Sequence, residues 1–177
     1  MNTTQFIPAL AVGVAVCAAF SDVKERRIPN LLTYPAMAAG LGLQSALYGW
    51  RGLLLGLGGG VLFGGVLLVF HMVRAMGAGD VKLAAALGTI VGMAATLHVM
   101  YATALAGCAL AIFFMVVSGR VVETLRNTLS VVGFHAQHGF QAHPLVNLDN
   151  PNALRMPYGL AFAAGTLFWA ASSQLWR

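Results

Sequence analysis

The chain has 177 residues, of which 59% are hydrophobic and only 8% charged, and its mean hydropathy is +0.79. These values exclude an ordinary soluble globular domain and describe an all-α, polytopic membrane protein: each helical crossing takes about 20 mainly apolar residues, so residues 1–177 read as one integral-membrane domain with short connections. The formal charge of +5 does not point to nucleic acid, because Lys and Arg flank the apolar runs instead of clustering on a soluble face.

Apolar runs occupy approximately 5–20, 31–50, 53–73, 83–99, 101–118 and 158–176, which predicts six transmembrane helices. The first run has the length of a signal-peptide core. Its flank Met1–Gln5 carries no Lys or Arg, however, and its far end carries Lys24, Arg26 and Arg27, so it reads as a retained helix with its N-terminus outside. Counting from there, the connections 21–30, 74–82 and 119–157 are cytoplasmic and both termini are outside. The cytoplasmic side then holds Lys24, Arg26, Arg27, Arg74, Lys82, Arg120, Arg126 and Arg155, against Arg51 and Arg177 on the other face. The glycine cluster Gly52, Gly56, Gly58, Gly59, Gly60, Gly64 and Gly65 predicts close helix approach. Cys17 and Cys108 stand alone inside apolar runs and read as small core residues.

In the long connection, Val121, Val122, Leu125, Leu129 and Val132 recur near helical spacing between Arg120, Glu123, Arg126 and Asn127. This predicts an amphipathic helix on the cytoplasmic surface between helices five and six. Gly139, Pro144 and Pro151 interrupt the polar stretch His135 to Arg155, which reads as a loop or lid. His135, His138 and His143 fall in this loop, but their spacing matches no strong metal motif; His71 and His98 read as interfacial residues.

Acidic residues are scarce: Asp22, Glu25, Asp80, Glu123 and Asp149 are the complete set, and the topology places all five on one side of the membrane. Asp22 ends the first run after Ser21, and Asp80 closes Gly77-Ala78-Gly79-Asp80 at the opening of the fourth, followed by Lys82. A carboxylate held near hydrocarbon is costly enough to need a reason. Two readings compete. In one, Asp22 caps or pairs with Lys24 or Arg26, while Asp80 caps its helix and pairs with Lys82. In the other, the two share a pocket and one proton, so that one acts as base and the other as acid. Asn30 reads as the cap of the second helix and Pro29 as the residue that sets the turn before it.

Asp22 with Ile28-Pro29-Asn30, then Gly77-Ala78-Gly79-Asp80-Val81-Lys82-Leu83, then Met156-Pro157-Tyr158-Gly159 before the last run together resemble the type IV prepilin peptidases, in particular the short form of tight-adherence (Flp-type) pilus systems. The resemblance spans nearly the whole chain. It implies an intramembrane aspartyl protease of the bacterial inner membrane, with Asp22 and Asp80 catalytic, Gly77, Gly79, Lys82, Pro29 and Asn30 as supporting motif residues, and Glu25, Glu123 and Asp149 as candidate contacts to a basic leader. The implied substrate is a prepilin or pseudopilin cleaved after a leader glycine at the cytoplasmic face, and the implied surroundings are membrane lipid and the pilus assembly machinery. Lys82 either tunes Asp80, contacts substrate or snorkels at the interface.

Long members of that family also methylate the new N-terminus and carry a zinc-binding cysteine region. This chain has no such cysteine array, and no cofactor, metal or nucleic acid is expected. Two other classes compete with the peptidase: a small proton- or cation-coupled transporter, which would set its acids nearer the midplane, and a non-catalytic membrane assembly partner, which would tolerate loss of both carboxylates.

Overall fold

The computed structural model describes residues 5–139, 141 and 156–175. They form α1 (Phe6–Glu25), α2 (Asn30–Met72), α3 (Ala78–Val117), α4 (Val121–His138) and α5 (Gly159–Leu175), with no strand among the described residues. The protein is an all-helical membrane protein, in which α1, α2 and α3 are long and apolar enough to cross a bilayer. Large apolar side chains are correspondingly exposed around its outside, among them Phe20, Trp50, Val61 and Phe168, as a lipid-facing surface requires.

α2 has 43 residues. A straight helix of that length would be roughly 64 Å long, about twice the hydrocarbon thickness. It does not run straight. Gly49 adopts φ 62 and ψ −147, a conformation that glycine takes without a Cβ penalty, and the chain turns back on itself there. Gly52 then lies against the carbonyl of Gln44, and Gly56 lies against the Leu41 side chain.

α3 is broken in the same manner at Gly92, with φ 76 and ψ 166. The break opens the helical ladder at a buried position, where a backbone carbonyl needs a new partner. Gln44, buried among apolar residues, answers it by donating from Nε2 to the Ile90 carbonyl at 2.8 Å. The expected boundary between the fourth and fifth runs at residue 100 is therefore corrected: the helix continues through Val99 and Met100, and the interruption falls at Gly92. Hydropathy is blind to this choice, because both positions lie in apolar sequence and only glycine accepts the required φ.

The two long helices pack along each other. At Gly59 and Gly88 their backbones approach so closely that a Cβ on either would strike the other's carbonyl, and Gly60 and Gly64 continue the seam against Thr89 and Ala85. Most of the predicted glycine cluster serves this contact. Gly65 does not, since open space surrounds it. α1 and α3 both pack along α5, with Ala11, Ala15, Ala18, Leu83, Leu87, Ile90 and Phe162 completely buried.

The amphipathic helix is present as α4, but it extends through His138 instead of stopping before His135. Gly139 ends it at φ 65, and the His138 ring stacks on Phe134 with centroids 4.5 Å apart. Val122, Leu125, Leu129 and Val132 are all exposed. His143 and Asp149 lie outside the described residues.

Candidate active site

The site begins with the way α1 ends. Arg26 adopts the left-handed conformation (φ 51), its N–H donates to the Asp22 carbonyl at 2.9 Å, and Ser21 Oγ donates to the Arg27 carbonyl at 2.9 Å. These bonds curl residues 26–29 across the end of the helix. Pro29, at φ −71 and ψ 141, occupies the capping position of α2 that the sequence had suggested for Asn30, and Asn30 is instead the first helical residue. Ile28 lies against Gly79, where a Cβ would come within 3.2 Å of the Ile28 Cβ. Glycine at that position thus lets the first turn of α3 lie against the turn that follows Asp22.

Asp80 stands in the first turn of α3, and its Oδ2 accepts the Gly77 N–H at 3.2 Å. The turn before it is held from α2: His71 Nδ1 lies 2.9 Å from the Met76 carbonyl and donates to it in the Nδ1–H tautomer. Asp22 is held from a third direction. Its Oδ2 accepts the backbone N–H of Gly159, the first residue of α5, at 2.7 Å.

Both carboxylates line one cavity of about 600 Å³, walled by the 25–30 turn on one side and Gly77–Gly79 on the other. The volume lies within the range of pockets that hold a ligand, about 300–1,000 Å³. Two carboxyl groups facing one cavity can hold a water between a proton acceptor and a proton donor, which is the equipment of peptide hydrolysis without a covalent intermediate.

Residues 9–115 match the type IV leader peptidase family, Peptidase_A24. The chain belongs to that family. The match supplies what the cavity alone does not, namely that this membrane protein is a peptidase, of a family that implies a prepilin substrate. No curated protein and no solved structure matches the chain.

In this leader peptidase the cavity gathers most of the residues that the sequence singled out: Asp22, Glu25, Pro29, Asn30, Gly77, Gly79 and Asp80. Lys82 is not paired with Asp80. Its Nζ donates to Asn30 Oδ1 at 2.8 Å and lies 5.3 Å from the centre of the Tyr34 ring, so it clips the start of α2 to the start of α3. Glu123 does not line the cavity; it sits on α4 in an exposed pair with Arg120, N to O 3.8 Å. Arg26 and Arg27, which sequence reasoning assigned to membrane orientation, also line the cavity.

Sequence reasoning missed two other groups of the peptidase. His71 was read as an interfacial residue, and its tie to Met76 left no sequence signal. The Met156-Pro157-Tyr158-Gly159 segment stands out in the sequence only through the family resemblance, yet Gly159 holds Asp22 directly.

Proposed function

We propose that Asp22 and Asp80 are the catalytic pair of an aspartic-type endopeptidase, which removes the basic leader of a type IV prepilin of the Flp type, or of a pseudopilin, after a glycine. The observation that carries this reading is that two residues 58 positions apart, both acidic in a chain with five acidic residues, line the same cavity. The ionised carboxylate takes a proton from water as the water oxygen bonds to the scissile carbonyl carbon. The protonated partner gives its proton to the carbonyl oxygen, and in the collapse of the tetrahedral intermediate the C–N bond breaks as the leaving nitrogen is protonated.

In this reading the chain works as a single unit with six crossings in the bacterial inner membrane, both termini outside and the cavity toward the cytoplasm, where a leader waits to be cut. Glu25, at the cavity wall, attracts the basic leader, and Glu123 and Asp149 add to the same field. The apolar stripe of α4 rests in the cytoplasmic leaflet with Arg120 and Arg126 toward lipid headgroups, and the connection that contains it screens the leader.

The experiment is reconstitution in lipid with candidate prepilins, comparing wild type with Asp22→Asn and Asp80→Asn. Each variant inserts and folds but does not cleave. Normal cleavage by either stable variant removes the assignment, and a transporter or a non-catalytic assembly partner would give no cleavage even with the wild-type chain.

A further inference from the structure

We propose that the backbone amide of Gly159 is a positioning group for the reaction: it fixes the carboxylate of Asp22 so that one oxygen is committed and the other is left to the cavity. The inference rests on the reading of Asp22 as catalytic and adds to it a third part of the chain, α5, which lies beyond the residues that match the family.

The first four N–H groups of a helix have no partner within it. In α5 the amides of Leu160, Ala161 and Phe162 are satisfied at close range, the first by the Pro157 carbonyl and the other two by Tyr158. Gly159 is left as the donor that faces away from its own helix, and it meets Asp22 at 2.7 Å across 137 residues of sequence. The bond is charge-assisted when the carboxylate is ionised, and it lies at the positive end of the helix dipole, so it holds an anionic side chain more firmly than a neutral pair would.

Residue 159 must also be glycine for the bond to form. A Cβ there would come within 2.9 Å of the Asp22 Cβ, 3.0 Å of the Ala19 Cα and 3.0 Å of Asp22 Oδ2. Two of these neighbours are rigidly attached to α1, so a side chain would push the helices apart and carry the amide away from the carboxylate.

The amide is itself held in place from the far side. Tyr158 sets its ring edge-on to Phe162, with centroids 5.6 Å apart, and its hydroxyl enters a notch at Gly107, where a Cβ would be 2.7 Å away. Phe162 is completely buried and packs on Phe63 of α2. The chain from the core to the carboxylate is therefore continuous: Phe63, Phe162, Tyr158, Gly159, Asp22.

The test uses the full-length enzyme in lipid with a prepilin peptide. An amide-to-ester replacement at residue 159, made by incorporating glycolic acid, deletes the N–H and adds no atom to the contact with α1. The expected result is a fall in kcat of roughly 10- to 100-fold, because small misplacement of a reacting group has that effect, with KM and thermal unfolding near wild type. Gly159→Ala is expected to lower kcat further. An ester enzyme with wild-type kcat overturns the inference, as does a loss confined to KM or to the yield of folded protein. Asp22→Asn is measured beside it: if that variant is inactive while the ester enzyme is not, only the role of the amide fails, whereas an active Asp22→Asn removes the catalytic reading beneath it.

Discussion

Along the α2–α3 seam, Gly59 and Gly88 bring two backbones into contact and Leu83, Leu87 and Ile90 fill the adjoining core with no exposed surface. At the cavity end the same helices terminate in turns, and single hydrogen bonds hold the polar groups there: Gly77 to Asp80, His71 to Met76, Lys82 to Asn30, Gly159 to Asp22. Many dispersed contacts determine the first region, and removing one leaves the rest in force. A few directional bonds determine the second. Stability and activity should accordingly respond to different residues.

The sharpest separation comes from the carboxylates. Asp22→Asn or Asp80→Asn is expected to eliminate leader cleavage while leaving thermal unfolding in lipid at or above the wild-type temperature, since each exchange puts a neutral side chain of similar shape in a partly buried position where two acids face one cavity. A clear drop in stability would instead make the pair structural. Leu87→Ala is the converse: deletion of a fully buried side chain should cost about 2–5 kcal/mol of stability, measured by denaturation in detergent, with kcat per folded molecule unchanged. If kcat falls with it, the two regions are coupled and the contrast breaks.

A smaller effect is expected at His71. Loss of its bond to Met76 in His71→Ala should lower stability by about 0.5–1.5 kcal/mol and reduce kcat by more than that stability change explains, because the turn it ties precedes Asp80. The smallest belongs to Lys82→Ala. The pair with Asn30 is exposed, and such contacts contribute about 1 kcal/mol or less, so cleavage of a prepilin peptide should change only a few-fold. A complete loss of cleavage there would place Lys82 in contact with substrate.

Much of the site was legible because acid is rare in this chain. With five acidic residues among 177, Asp22 and Asp80 stand out in the sequence, and the glycines at 77 and 79 mark the turn before Asp80 as tight. The candidate leader contacts were less legible. Glu25 lines the cavity and Glu123 does not, a difference set by which helix each rides on and not by charge. Lys82 illustrates the same limit: two positions from Asp80, it is nearer in sequence to the carboxylate than to the Asn30 it bonds, 52 residues away.

Hydropathy and charge are sums over neighbouring residues, so the amino-acid sequence by itself determined the membrane class, the apolar helices and the set of groups able to do acid–base chemistry. Tertiary structure alone decided where α3 breaks, at Gly92 and not at residue 100, because that depends on which carbonyl a buried Gln44 can reach. It alone decided, too, that the amide of α5 would meet the carboxylate of α1. A hydrogen bond forms only when donor and acceptor arrive within about 3 Å, and whether two helices bring them there is a matter of packing register that no local pattern records.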